Sequence, residues 1–246
     1  MRGHRIADTV GMNLYRCLLL LPPLVATLCA LPPALANDRP FMSARTAVVE
    51  DDNEGTWSME FWVQRFGRVR GVSVEPEYSF TTRTSMQMEL TKLRDRDGHE
   101  TGHEAEVEFK HLFNDIARDG WGWGVSAAIG TEHSRAEGTS RTLTLKLPVS
   151  LALGESGAQL HVNGGVVKPS DERRHFTTSA ALEFDAWRRT RAFVELARDG
   201  EARFAQAGVR HWIRKERLAL DFSLQQHRAP GERASGFILG LGWYDL

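Results

Sequence analysis

The sequence predicts an all-β protein, a closed antiparallel transmembrane β-barrel of about 12 strands, within a range of roughly 10 to 14. Three observations predict it. From Trp57 to the end, large apolar residues alternate with polar or small ones at a period of two, the mark of strands with two different surroundings. The N-terminus reads as an export leader, and nothing after it approaches the roughly 18 apolar residues of a helical span. The longest polar connectors, Arg94–His103, Thr131–Ser140, Lys168–Arg174 and His227–Ala234, fall after odd-numbered strands, which matches the long outer loops and short inner turns of such barrels.

The leader comes first in the chain. Arg16 precedes an apolar run from Cys17 to Leu31, and Ala34-Leu35-Ala36 forms an A-x-A cleavage site. Residues 1–36 are therefore expected as a signal peptide cleaved after Ala36, with Met12 an alternative start. Cys29 invites a lipoprotein reading, but Leu28 stands where a small residue belongs. Both cysteines, Cys17 and Cys29, lie in the leader, so the mature chain is expected without a disulfide. Residues 37–56, ending in Asp51-Asp52-Asn53-Glu54-Gly55, read as a polar periplasmic lead-in, and residues 57–246 as the outer-membrane barrel. The formal net charge of -1 argues neither for nor against nucleic acid.

The strands follow in order. Trp57, Met59, Phe61 and Val63 share a face, then Val72, Val74, Tyr78 and Phe80, and then Met86, Met88 and Leu90. Next come Ala105, Val107 and Phe109 against Glu104, Glu106, Glu108 and Lys110. Trp121, Trp123, Val125 and Ile129 alternate with Gly122, Gly124 and Ser126, and Leu143 to Leu151 alternate with Thr144 and Lys146. The second half repeats the rhythm through Leu160 and Val162, Leu182 and Phe184, Val194 and Leu196, Ala205 to Val209, and Leu218 to Leu224. In the last strand Phe237, Leu239, Leu241 and Trp243 face away from Gly236, Gly240 and Gly242.

A soluble β-sandwich also alternates. Tryptophan placement weighs against it. Trp57, Trp121, Trp187, Trp212 and Trp243 fall at strand ends that loop parity makes periplasmic, as a membrane–water belt requires. Trp57, Trp121, Trp123, Trp243 and Tyr244 are the expected interface residues. Trp187 and Trp212 are out of phase and need a bulge, and Pro76 and Pro148 mark bulges or misplaced strands in a ring without free edges.

With apolar faces outward, the inward residues define the interior. Glu75, Glu77, Glu89, Glu104, Glu106 and Glu108, with Lys92 and Lys110, form an expected acidic wall; Arg191, Arg203 and Arg210, with Glu195, form a basic wall opposite. Such walls set up a transverse field in a narrow polar channel. His161 is expected to line the same lumen. A ring of this size lies between barrels filled by side chains and open porins, so the same charges also suit a plugged lumen.

Catalytic chemistry is not expected. His111 and His211 fall at strand ends, and His161 reads as a hydrogen-bonded wall residue. His99 and His103 share a loop with Asp95, Asp97, Glu100 and Glu104, but the spacing matches no closed metal site. Gly120-Trp121-Gly122-Trp123-Gly124 is a strand face and no phosphate loop, and the arginines form no single stripe for nucleic acid. No cofactor is expected.

Arg39-Pro40-Phe41, Ala47-Val48-Val49-Glu50 and Gly55-Thr56-Trp57-Ser58-Met59-Glu60 resemble the start of a family of Gram-negative outer-membrane barrels. Its members are labelled transporters or phenol-degradation meta-pathway proteins. The similarity extends to Glu108-Phe109-Lys110 and Gly120-Trp121. It implies an outer-membrane barrel acting as a passive, porin-like channel, without a catalytic set. This chain departs from the usual aromatic terminus in ending Trp243-Tyr244-Asp245-Leu246. The expected function is a passive channel for small polar or amphipathic solutes. The expected partners are outer-membrane lipid, a small-molecule solute and the barrel-assembly machinery. A plugged structural or surface-interaction barrel is the alternative, and a soluble periplasmic lipid-binding barrel the third reading.

Overall fold

Strict alternation gives one sheet two unlike faces, and the sheet closes on itself so that neither edge is left unpaired. The computed structural model describes residues 40–49, 54–95, 98–114, 116–135 and 138–246. The expected leader lies outside the described residues. Twelve strands form a closed barrel in which each pairs with its sequence neighbours and β1 pairs with β12. They are β1 (Thr56–Phe66), β2 (Val69–Thr81), β3 (Thr84–Arg94), β4 (Glu100–Asn114), β5 (Trp121–Ser134), β6 (Gly138–Leu153), β7 (Ala158–Pro169), β8 (His175–Trp187), β9 (Thr190–Asp199), β10 (Ala202–Arg214), β11 (Leu218–Ala229) and β12 (Glu232–Trp243). One helical turn, α1 (Ile116–Asp119), joins β4 to β5. Among the described residues no helix is long and apolar enough to cross a membrane, which says nothing of strands.

The molecule is apolar outside and polar inside. Phe176, Ile129, Leu196 and Leu224 are 61–79% exposed, whereas Ser58, Ser150, His161 and Glu195 are wholly buried. An apolar exterior on every strand suits hydrocarbon.

β1 and β12 begin and end at one end of the barrel, called here the terminal end; the hairpins after odd strands lie at the distal end. The expected loop asymmetry is absent. Thr131–Ser140, expected as a long connector, is mostly strand, because β5 runs to Ser134 and β6 starts at Gly138. The longest connection lies between β4 and β5, at the terminal end. Polar residues continue the alternation past the apolar belt, and ladder hydrogen bonds extend the strands into hairpins. β4 and β6 thus reach 15 and 16 residues, against the roughly nine to eleven that a tilted crossing needs.

Pro76 and Pro148 stay inside β2 and β6 without shifting register; the pairing skips them, from Val74↔Leu90 to Glu77↔Gln87 and from Trp123↔Val149 to Ser126↔Lys146. The bulge expected for Trp187 is present between Asp185 and Trp187, and its ring is 77% exposed. Trp212 differs from expectation. A bulge follows it, between Trp212 and Arg214, but Trp212 keeps the inward phase, beside Tyr244 and Arg210.

Closure depends on the seam from Met59↔Trp243 to Phe66↔Gly236. A Cβ at Gly236 would overlap the carbonyl oxygen of Arg65, while one at Gly240 would come no nearer than 3.3 Å to Asp221 Cβ. Gly236→Val is therefore expected to open the seam, at a cost of about 1–3 kcal/mol, and Gly240→Ala to leave it closed. The urea midpoint of the compact, unboiled electrophoretic band measures both.

Candidate functional site: a lumen filled by the chain's own N-terminal segment

Residues 40–49, expected within the periplasmic lead-in, lie inside the barrel. The acids of the lead-in flank this stretch, at Asp38 and from Glu50 onward; within 40–49 the only charge is Arg45, among small residues that a narrow lumen admits. Phe41, Ala44, Thr46 and Ala47 are wholly buried. This segment is no strand, so lumen side chains must satisfy its backbone.

Glu195 does most of this. Its carboxylate accepts from the backbone N–H groups of Met42, Ser43 and Ala44 at 2.9, 2.8 and 2.6 Å. Three successive amides converging on one carboxylate make an anion nest, inverted here because the protein supplies the anion. Gln206 Nε2 donates to Pro40 O at 2.9 Å and to Glu195 at 2.7 Å. Asn163 treats Arg45 as a strand neighbour would, accepting from its N–H at 2.5 Å and donating to its carbonyl at 2.8 Å. Lys146 Nζ donates to Ser43 O at 2.9 Å. Phe41 packs edge-on against Phe193, with ring centroids 5.7 Å apart, and tilted over His161 at 5.3 Å.

Arg45 carries the segment's charge into the acidic wall, with Nε 2.8 Å from Glu108 and a terminal nitrogen 3.6 Å from Glu106. On the distal side of the segment lies a cavity of about 360 Å³, lined by Glu89, Glu104, Glu106, Glu108, Glu132 and Asp199, with Met42, Ser43, Arg45 and Lys146 at its floor. Glu89 stands opposite Glu106 and Glu104 opposite Glu132 across the ladder. Like charges so placed repel, and a cation among them relieves the repulsion.

Glu75, Glu77, Glu89, Glu104, Glu106, Glu108, Lys110, His161, Arg191, Glu195 and Arg210 all take the inward phase. Arg203 does not. Register across β9 and β10 runs unbroken from Ala202↔Asp199 to His211↔Thr190, so Arg203 shares the outward face of Ala205, Ala207 and Val209. Lys92 shares the outward face of Leu90 in the same way. Nor is there a basic wall opposite the acids. Arg210 is held by Asp221 through two bonds of 2.7 Å and by Glu60 at 3.3 Å, and Tyr244 Oη also donates to Glu60. Arg191 lies 3.3 Å from Glu183. These groups neutralise one another locally, and a field across the lumen is not what they supply.

Trp57, Trp121, Trp123 and Trp243 are exposed on the outer face as expected, but Tyr244 is only 2% exposed and turns into the lumen. Its N–H donates to Arg217 O, which draws the chain inward past the last rung of β12. In the β3–β4 hairpin His99 turns back onto Asp95, with Nδ1 3.5 Å from the carboxylate; Asp97 lies outside the described residues.

His161, expected as a hydrogen-bonded wall residue that a serine could meet across strands, has two partners that the sequence did not single out. Ser150 stands opposite His161 in the β6–β7 ladder. Ser150 Oγ lies 2.7 Å from His161 Nδ1, and His161 Nε2 lies 3.2 Å from Glu183. Register counting along that hairpin is the only signal that could have found it. The Ser150 oxygen accepts from Ala47 N–H at 2.8 Å, and serine and histidine are both wholly enclosed. The chain of bonds clasps the internal segment to the wall.

A family model described as "Uncharacterised conserved protein UCP029691" matches residues 34–241. No curated protein matches the sequence. Among solved structures, KdgM porin aligns with a TM-score of 0.57 at 9% identity, covering 76% of this chain and 98% of that one. The structure described as "KdgM porin in complex with disordered oligogalacturonate" gives the same score at 8% identity. NanC porin gives 0.54 at 9% identity, with 76% and 98% covered. At these identities the likeness is one of fold. It agrees with the outer-membrane, porin-like barrel implied by the N-terminal motifs, although the matching family carries a different description from the phenol-degradation one.

Replacing Glu195 by Gln removes the charge that gathers three amides. Bonds to a charged acceptor contribute about 1.5–3 kcal/mol. Hydrogen exchange at Met42, Ser43 and Ala44 is expected to speed up by about tenfold or more in Glu195→Gln, while exchange in the β1–β12 seam stays as it was.

Proposed function

The chain belongs to the family whose model spans residues 34–241, and from that premise we propose that it is an outer-membrane channel for small cationic or polar solutes, closed at rest by its own N-terminal segment. The observation that carries this reading is the carboxylate-lined vestibule floored by residues 42–45. A closed structural barrel has no need of Glu89, Glu104, Glu106 and Glu132 facing a cavity, since apolar packing would fill the ring at lower electrostatic cost. The internal segment is tied by side-chain bonds and lacks a continuous ladder, so its release breaks discrete contacts and leaves the barrel's own hydrogen bonds intact. The porin-like fold supports the same reading. An oligogalacturonate, the ligand named for the KdgM complex, is itself a string of carboxylates and would be repelled by this vestibule.

In the cell the chain would be exported by its leader, inserted by the barrel-assembly machinery, and seated with the tryptophan belt at the periplasmic boundary and the distal hairpins outside. A catalytic role is not part of the proposal, because Ser150 is covered by the Ala47 amide and does not line the vestibule. A plugged barrel that only scaffolds the membrane is the second reading, favoured by how fully the segment is bonded.

Planar-bilayer recording separates the two. The native protein is expected to show low or flickering conductance, and Glu195→Gln combined with Asn163→Ala to raise the open fraction several-fold, with current carried mainly by cations. Glu104→Gln with Glu106→Gln is expected to reduce that cation preference. Silence from every folded variant would establish the scaffold reading, and anion preference would overturn the role given to the vestibule.

A further inference from the structure

Seven contiguous strands, β9 through β12 and β1 through β3, each place an arginine as the outward-facing residue nearest the distal turn. Arg198, Arg203, Arg228 and Arg233 form one row in direct register, with Arg203 opposite both Arg198 and Arg228, and Arg228 opposite Arg233. Arg65, Arg70 and Arg94 form a second. All seven are exposed, and among the described residues none is ion-paired with a carboxylate.

Residues directly opposite on adjacent strands have Cα atoms about 4.5–5.5 Å apart, and like charges at that spacing destabilise a ladder. Five such arginine pairs lie along the two rows. An external anion that bridges neighbours removes the cost. Guanidinium groups on this spacing suit phosphate, whose oxygens accept two parallel N–H bonds from each fork.

What lies beneath the first row identifies the source of the phosphate. A groove of about 680 Å³ on the outer wall has Arg198, Arg203 and Arg228 at its head and Val162, Ala180, Leu196 and Ala205 along its sides. Ala180 and Ala205 flank Leu196 in the ladder, with Val162 beyond Ala180 and Gln226 beyond Ala205, and their small side chains leave a trough in the outer wall. A charged head above an apolar trough is complementary to an amphiphile, and a free phosphate would leave the trough empty. The turns at the terminal end also carry arginines, Arg188, Arg214 and Arg217 among them, and none of these lines the groove.

We propose that Arg198, Arg203 and Arg228 bind the phosphate of a phosphorylated acyl lipid in the outer leaflet, with an acyl chain lying in the groove between Leu196 and Ala205. This rests on the outer-membrane reading above, in which the distal end faces outside. The lipid would serve as a fixed counter-ion that lets the strands extend past the hydrocarbon as paired, positively charged ribbons.

The test uses the full chain, folded in detergent micelles and examined by native mass spectrometry with two probes, lipid A and lipid A stripped of its phosphates. Wild type is expected to retain lipid A at least about tenfold better than the stripped form, and the triple variant Arg198→Gln, Arg203→Gln, Arg228→Gln to lose that preference. A terminal-end control, Arg188→Gln with Arg214→Gln and Arg217→Gln, removes the same charge and is expected to keep it. Equal retention of the two probes by wild type, or equal losses in both triple variants, overturns the proposal. Electrophoresis with and without boiling is run alongside. A protein without heat-dependent migration fails the outer-membrane reading itself, whereas a heat-modifiable protein indifferent to phosphate fails only the lipid site.

Discussion

The interior of a twelve-strand ring is the constraint from which the rest follows. Eight strands leave a space that side chains fill, and sixteen leave an aqueous channel. Twelve leave a space too wide for one layer of wall residues and narrow enough for one extra chain. Residues 40–49 occupy it, and Glu195 is the group that makes this possible. A segment without ladder partners brings its unpaired amides into a confined space, and three of them converge on that carboxylate. Glu195 is wholly buried, and without those amides its charge would be costly to hold there. Segment and wall each satisfy what the other lacks.

This mutual dependence explains which parts of the molecule were legible in the sequence. Strand existence and inward phase were, because alternation is a local property and a slip of one residue would turn leucines into the lumen. Eleven of the thirteen residues expected to face the lumen follow from it, Lys92 and Arg203 being the two that do not. Arg203 faces outward because the two-residue turn at Gly200 and Glu201 fixes the phase of β10 and no bulge intervenes before Gln206. Tyr244 failed because it lies past the last rung, where alternation ceases to apply. Contacts between distant segments left no periodic signal at all. Nothing local in Pro40 to Val49 announces that Asn163, Ser150 and Gln206 await it, and nothing near Ser150 announces His161 or Glu183.

Polar stretches after odd strands look like loops because they are hydrophilic, yet hydrophilic residues pair in a sheet as readily when water bathes one face. Thr131, His133, Thr139 and Arg141 continue β5 and β6 well beyond Ile129 and Leu143. The barrel therefore projects past its apolar belt as stiff hairpins. Rigid projections hold charges in register where flexible loops would let them separate, and the arginine rows exist for that reason.

In the channel reading the vestibule and the internal segment are one device, because they share Glu106 and Glu108. Arg45 is the sole charge of residues 40–49 and lies against those two carboxylates. A cation arriving from the distal side meets the repulsive pairs Glu89–Glu106 and Glu104–Glu132 before it meets Arg45. Each carboxylate it engages is withdrawn from the guanidinium, so solute binding weakens the docked segment, and by linkage a docked segment weakens solute binding by the same factor. The contacts at Glu195, Asn163 and Ser150 come from β9, β7 and β6, and do not involve those carboxylates. They set the resting bias toward closure, and the acidic wall sets how strongly a cation opposes it. A neutral solute of the same size makes no such differential contact and cannot shift the equilibrium, however well it fits the vestibule.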